Sequence, residues 1–309
     1  QWINQYWDGI RYILPAFSLE DARQVLEETA SISDYCGGLD HVSLQAAEGI
    51  TKKYKGLYCG RILNHTTFKL SELDLEMIRS VPPGGNWKNI PKETVEKSKR
   101  LKRITQTGGR TTLYGRLDYN RPSYTITTYF NRPGNGTYVH PVHQRVLSVR
   151  EAARLQAFPD DYYFFGNRTQ NLNQVGNAVP TLLAYQIGKK VKEQTWCQKS
   201  IDLFCGAGGL TAGLKAAGIH SLLSNDIEES ACITLKINNP EIPVLCGDIT
   251  REETKAAIEK AAKEGGADLI CGGPPCQGFS MAGFRSATDP RNQLFRDFAD
   301  VVKRVNPKV

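Results

Sequence analysis

The chain has 309 residues, 40% hydrophobic and 23% charged, with a formal net charge of +7. This composition excludes a disordered or low-complexity chain and allows about two domains, each with its own core. No apolar run reaches the length of a membrane span and no signal-peptide pattern is found, so no membrane partner and a cytoplasmic location are expected.

In chain order, helical patterns cover Leu19 to Thr29 and Ser71 to Arg79, then give way to a turn at Pro82-Pro-Gly-Gly-Asn86. Lys97-Ser-Lys-Arg-Leu-Lys-Arg103 carries five cations in seven residues, and Arg110, Arg116, Arg121, Arg132 and Arg145 follow. Such a run is either a solvated basic face or a contact with a polyanion such as nucleic acid. From Leu113 to Tyr138, Thr- and Tyr-containing runs broken by Pro and Gly read as β-rich. His140-Pro-Val-His143 has no cysteine or carboxylate pattern around it and reads as loop surface, so no metal is expected. Ser148 to Phe158 is an amphipathic helix whose Ser148 and Glu151 form a capping box, and Pro159 ends it. Another helix runs from about Thr181 to Glu193, and the polar stretch Glu193 to Lys199 reads as a link between two parts of the chain.

The last third alternates strand and helix. Strands are expected at Ser200 to Phe204, Ser221 to Ser224, Val244 to Cys246 and Asp268 to Cys271. Helices are expected at Leu210 to Ala217, Glu228 to Ile237, Glu252 to Lys263 and Leu294 to Val305. With right-handed crossovers this is a doubly wound, Rossmann-like α/β sheet. The eight cysteines show no paired zinc-ligand spacing, which fits a reducing compartment.

Two loops of this part carry chemistry. Cys205-Gly-Ala-Gly-Gly209 follows the first strand, lacks the G-x-G-x-x-G spacing and has no Lys-Ser/Thr ending, which weakens dinucleotide and triphosphate readings. Asp226 and Asp248 close the next two strands and could meet ribose hydroxyls and an adenine amino group, so the loop is either an adenosine site or a plain turn flanked by surface carboxylates. In Cys271-Gly-Gly-Pro-Pro-Cys-Gln-Gly-Phe-Ser280, two prolines stiffen the approach to Cys276 at a strand end. A reactive thiol and a structural one both remain open there.

Asp202-Leu-Phe-Cys-Gly-Ala-Gly-Gly-Leu210 and Gly273-Pro-Pro-Cys-Gln-Gly-Phe-Ser280 resemble the S-adenosylmethionine loop and the catalytic loop of the DNA (cytosine-5)-methyltransferases. Arg150-Glu-Ala-Ala-Arg-Leu-Gln-Ala-Phe-Pro159 is similar to the family's late helix, and Gln174-Val-Gly-Asn-Ala-Val-Pro180 to its closing motif. Asn64-His65 through Trp87, and Gly115-Arg-Leu-Asp118 to Thr125-Ile-Thr-Thr128, look like target-recognition regions of bacterial members. The resemblance implies methyl transfer from S-adenosyl-L-methionine to C5 of a flipped cytosine in a specific sequence of double-stranded DNA, as in bacterial restriction-modification systems. Cys276 would be the nucleophile, with Pro275 and Gln277 shaping its loop. Phe204, Gly206, Gly208, Gly209, Asp226, Ile227, Asp248 and Ile249 would hold the cofactor, with Asn177 and Val179 from the closing motif. Lys97, Lys99, Arg100, Lys102 and Arg103 would contact phosphates, and Arg285 and Arg291 after the catalytic loop either do the same or are ordinary surface arginines. Arg150 and Arg154 read either as helix-surface charge or as part of a helix that packs between the domains and organises the recognition part. The expected division is a target-recognition domain over residues 1–165, including the late helix, and a cofactor-binding catalytic domain over 166–309.

The block order is that of a circularly permuted member, because the closing motif precedes the cofactor loop. The family's Glu-Asn-Val and Gln-x-Arg-x-Arg blocks are absent from the sequence. Asn306-Pro-Lys-Val309 looks like the beginning of another strand, so the chain reads as a fragment, with completion by a second polypeptide as the alternative. Two rival functions are a tRNA cytosine-5 methyltransferase and a non-catalytic DNA-binding subunit that needs a partner chain.

Overall fold

The computed structural model describes residues 63–65, 67–275 and 290–309, apart from the side chains of 290–292. The described residues fall into two compact units. The first holds those up to Tyr162 together with Asn171–Asn177, and the second holds Tyr163–Gln170 and Ala178–Val309. The expected helix at Leu19 to Thr29 lies outside the described residues.

In the first unit, helix α1 (Glu72–Arg79) starts at Ser71, whose hydroxyl accepts the Asp74 N–H at 3.1 Å. Acidic residues in its first turn and Arg79 in its last match the helix dipole. After α2 (Lys92–Glu96), α3 (Lys99–Thr107) is capped by Ser98 and stopped by Gly108 at φ 68°, a left-handed position. α3 turns Leu101 and Ile104 into a core with Met77, Val81, Trp87, Ile90, Val95 and Tyr114. Its basic residues are thereby left on the outside.

The expected β-rich run from Leu113 to Tyr138 is corrected. It holds only β1 (Gly115–Arg116) and β2 (Thr137–Val139), paired in parallel. Between them Pro122 and Pro133 offer no ladder donor, and side chains occupy the backbone instead. Asp118 accepts the Asn120 N–H at 2.9 Å, and the Thr127 hydroxyl is 2.9 Å from that of Tyr138.

Buried cations organise this unit. Arg116 donates to the carbonyls of Val81, His140, His143 and Ile78 and to Gln144 Oε1, at 2.6–3.1 Å. Arg150 sits on α4 (Val149–Leu155) and is fully buried, donating to the carbonyls of Leu63, Pro159 and Tyr162. Arg154 grips Asp160 with two bonds of 2.7 and 2.8 Å. Neither arginine is plain helix-surface charge, the alternative reading of this pair. The capping box is present, with the Ser148 N–H donating to Glu151 and the Glu151 N–H donating to Ser148.

His140 is not loop surface as expected; it is fully buried. Its Nδ1 accepts the N–H groups of Val142 and His143 at 3.1 and 3.0 Å, so the ring closes its own turn. Burial drives its pKa down to about 3, against the pull of Glu151 at 3.7 Å. Helix α5 (Arg168–Gly176) follows in the chain.

The second unit is a four-stranded, wholly parallel sheet in the order β5–β4–β3–β6. Its strands are β3 (Lys199–Leu203), β4 (His220–Asp226), β5 (Val244–Cys246) and β6 (Leu269–Gly272). The helices are α6 (Thr181–Thr195), α7 (Gly209–Ala216), α8 (Glu229–Asn238), α9 (Glu252–Gly265) and α10 (Pro290–Val305). This is the Rossmann-like architecture read from the strand–helix alternation. Ile201 and Leu203 of β3 join Leu223, Ile258, Ile270 and Val301 in one core. Ser200 and Asp202, at alternate positions, belong to the opposite face, where Asp202 meets Thr211 of α7.

α6 lies against α7 at backbone distance. A Cβ on Gly213 would stand 2.3 Å from the Thr181 carbonyl oxygen and 2.4 Å from the Ala184 Cβ. The stretch Glu193 to Lys199 does not separate two units, as expected of a link, because α6 runs on to Thr195 and both α6 and β3 belong to the second unit. Trp196, at φ 59°, caps α6. Val309 lies beside β6, its N–H donating to Asp268 and its carbonyl accepting from Ile270, but residues 306–309 form no strand. Among the described residues no helix is long and apolar enough to cross a membrane.

Candidate cofactor and active site

After β3 the chain builds β4 and β5 on one side, then returns to place β6 on the other. The carboxyl ends of β3 and β6 therefore flank a topological switch point, where open parallel sheets bind ligands. The glycine loop starts there. Phe204, Gly206 and Gly208 take φ values of 54°, 52° and 88°, so three positions within five residues are left-handed. A Cβ on Gly206 would meet nothing within 4 Å, so backbone shape, and not crowding, is what calls for glycine there.

The loop is tied to the neighbouring strand by Asp226. One carboxylate oxygen accepts the Gly206 N–H at 2.8 Å and the other accepts the Glu228 N–H at 2.9 Å. The Cys205 N–H donates to Asn225 and the Gly247 N–H donates to Asp226, which brings the ends of β3, β4 and β5 together. Asp248 is held below the ordinary carboxylate range by the N–H and hydroxyl of Thr250, at 2.9 and 2.8 Å. A shallow open groove of about 450 Å³ is lined by Ile227, Leu245, Cys246, Gly247, Asp248 and Arg251, among others. Ile227 is 67% exposed at its rim, an apolar surface beside two carboxylates.

Beneath the loop, Asp202 is almost fully buried and receives the Thr211 hydroxyl at 2.5 Å. Burial raises its pKa to about 7, against the lowering effect of that bond. The bond ties β3 to the first turns of α7. Sequence reading missed it; the alternation of Ser200 and Asp202 with apolar residues was the available signal. Cys246, also missed, follows from the strand-end logic that found Asp226. Gly272, at the end of β6, has no room for a side chain, since a Cβ would come within 2.2 Å of the Leu203 carbonyl oxygen.

The sheet thus brings together Phe204, Gly206, Gly208, Gly209, Asp226, Ile227 and Asp248. Ile249 is different: its side chain is buried in the core, so only its backbone can face a ligand. Asn177 is exposed and belongs to the first unit, where its N–H donates to Asn173 at 2.9 Å. Val179 is half-buried in the second unit. Pro275 is exposed at the edge of the described chain. Cys276, Gln277 and Arg285 lie outside the described residues, as does the side chain of Arg291. Burial pushes the thiols of Cys205, Cys232, Cys246 and Cys271 up, so none of these four is poised as a thiolate.

The basic stripe is less uniform than its sequence. Lys97 pairs with Glu76 at 2.7 Å, and Lys102 with Glu96 at 2.5 Å. Arg100 donates to the Gly134 carbonyl and to Asn135, at 2.6 and 3.2 Å. Lys99 and Arg103 are exposed and form no ion pair among the described residues.

A family model described as C-5 cytosine-specific DNA methylase matches residues 14–193 and 198–309. The chain is 46% identical over 111 residues to Type II methyltransferase M1.HphI of Haemophilus parahaemolyticus, across 35% of this chain and 30% of that protein. It is 45% identical over 114 residues to Type II methyltransferase M.AquIA of Picosynechococcus, across 36% of this chain and 46% of that protein. It is 38% identical over 144 residues to DNA (cytosine-5)-methyltransferase 3 of Arabidopsis thaliana, across 43% of this chain and 10% of that protein. The chain spans less than half the length of each of these relatives.

Proposed function

This chain belongs to the C-5 cytosine-specific DNA methylase family, and on that footing we propose that it transfers a methyl group from S-adenosylmethionine to C5 of cytosine in duplex DNA. The carrying observation is Asp226 at the switch point. Its carboxylate fixes the glycine loop by Gly206 and keeps lone pairs for the ribose hydroxyls of an adenosyl group. Asp248 and the exposed Ile227 line the groove alongside, offering an acceptor for an adenine amino group and an apolar surface for its ring. The α7 N-terminus at Gly208 has no side-chain cap of its own, and the positive end of the helix dipole there suits the carboxylate of the methionine portion. These residues fit S-adenosylmethionine, which when bound supplies an electrophilic methyl group.

The protein supplies the rest. C5 of cytosine is a poor nucleophile, and addition of the Cys276 thiolate to C6 turns it into an enamine carbon that can accept a methyl group. Loss of the C5 proton then lets the ring expel the thiolate. Cys276 takes this role, with Pro275 and Gln277 shaping its loop, by the likeness of Gly273-Pro-Pro-Cys-Gln-Gly-Phe-Ser280 to the family's catalytic loop. Neither C5 nor C6 can be reached inside a stacked duplex, so the target base is flipped out. Val179, in the same unit as the glycine loop, adds to the cofactor site as the closing motif implies, and Lys99 and Arg103 hold phosphates. The packing of α6 on α7 supports a circularly permuted order, since the closing helix keeps its place beside the cofactor loop while preceding it in the chain.

The test is a duplex carrying 5-fluorocytosine at the target, offered with S-adenosylmethionine to the complete enzyme. A covalent adduct mapping to Cys276, lost in Cys276→Ser while cofactor binding persists, is the expected result. An adduct at any other residue, or methylation by Cys276→Ser, would refute the assignment.

A further inference from the structure

The turn from Thr127 to Phe130 in the first unit holds two adjacent aromatic residues in opposite situations. Phe130 is fully buried, with Phe68 and Tyr138 packed edge-on against it at ring centroid distances of 6.2 and 6.5 Å. Tyr129 is 66% exposed. A lone exposed aromatic residue is ordinary on a protein surface. This one is held by its backbone from several sides.

The Tyr129 N–H donates to the Thr127 hydroxyl at 3.3 Å, and its carbonyl accepts from Asn135 at 3.2 Å. Asn135 in turn accepts from Arg100 of α3, which also grips the Gly134 carbonyl. On the other side, a Cβ on Gly176 would fall 2.4 Å from the Thr128 nitrogen, so α5 ends directly against this turn. The ring is therefore presented on a backbone clamped by two helices. A side chain with two torsions on such a support loses little entropy on binding.

Its surroundings are cationic. Arg132, three residues on, is exposed. Arg103 lies one helical turn beyond Arg100, the residue that holds Asn135. A preorganised aromatic face flanked by guanidinium groups suits a ligand that offers flat rings and phosphates together, which is the chemistry of a nucleic acid. We propose that Tyr129 is a DNA-contacting residue whose ring stacks on a base that has left the duplex stack, while Arg103 and Arg132 meet the flanking phosphates. This rests on the reading of the chain as a DNA methylase and names the side chain that grips the substrate.

The experiment compares Tyr129→Ala, Tyr129→Phe and Arg103→Gln in the complete enzyme, measuring affinity for a cognate duplex across a salt series. Tyr129→Ala should weaken binding about tenfold or more, as loss of one base–aromatic stack does, with the slope of log affinity against log salt unchanged. Tyr129→Phe should bind like the wild type, because the ring face and not the hydroxyl makes the contact. Arg103→Gln should instead shallow the salt slope by about one phosphate contact. Thermal unfolding of the Tyr129 variants should match the wild type, since the ring is exposed. If the wild type binds duplex DNA and Tyr129→Ala binds within twofold of it, or if Tyr129→Phe is as weak as Tyr129→Ala, the inference fails. If the wild type neither binds nor methylates duplex DNA, the methylase reading itself fails.

Discussion

Replacing Asp226 by Asn changes one atom and should separate the cofactor site from the rest of the fold. In the native carboxylate, each oxygen accepts one backbone N–H, from Gly206 at 2.8 Å and Glu228 at 2.9 Å. An amide can satisfy only one of these donors, and its NH₂ must face the other. A hydrogen bond to a charged partner is worth about 1.5–3 kcal/mol net, and the half-buried position of Asp226 argues for the lower end. Gly206 then loses its anchor to β4, and the acceptor proposed for the ribose is halved. At about 1.4 kcal/mol per tenfold, S-adenosylmethionine should bind roughly ten- to thirtyfold more weakly. Titration calorimetry on wild type and variant would read this directly. Urea denaturation should show a stability loss of about 1–2 kcal/mol, with an unchanged m-value. A folded Asp226→Asn protein that binds the cofactor within twofold of the wild type would refute the role given to the carboxylate.

Two further outcomes follow from packing and charge. Gly213→Ala should destabilise the second unit by about 2–3 kcal/mol or prevent its folding, because the new methyl group meets the Thr181 carbonyl and the Ala184 Cβ rather than a flexible side-chain tip; chemical denaturation measures it. Stability should also fall on acidification, in two overlapping windows. His140 stays neutral in the fold down to about pH 3, whereas its unfolded counterpart takes a proton near 6.5, so stability is lost as pH falls from about 6.5. Burial raises the Glu151 pKa, but Arg145, His140 and Ser148 outweigh it and leave the value at about 2 against a reference of 4.5, so this contribution is present above 4.5 and is lost as pH falls towards 2. Denaturation midpoints taken between pH 7 and 5 should decline in the wild type and flatten in His140→Gln; a parallel decline in both would show that His140 is not the titrating group.

The second unit was legible because its information is local. Strands buried on both faces read as apolar runs, and helices with 3.6-residue spacing separate them, so each strand was placed to within a few residues. The acidic strand ends and the glycine loop followed from topology alone. The first unit resisted for the opposite reason. Arg116 satisfies itself on carbonyls 24 to 38 residues away, a partnership that no periodicity records. His140 is buried by a turn its own ring closes, and the Thr- and Tyr-rich run spends its hydroxyls on side-chain bonds that compete with a ladder. Arg100 belongs to a conspicuous basic stripe but faces the backbone of Gly134, because a guanidinium can bond a carbonyl as readily as a phosphate.

The missing side chain at Gly272 constrains how this chain can be altered. Leu203 stands so close that a hydrogen atom is all the position admits. The course of the polypeptide out of β6 is consequently decided inside the sheet, before either proline is reached. Substitutions further along leave this point of departure where it is, so variation introduced there, by selection or by design, need not disturb the scaffold.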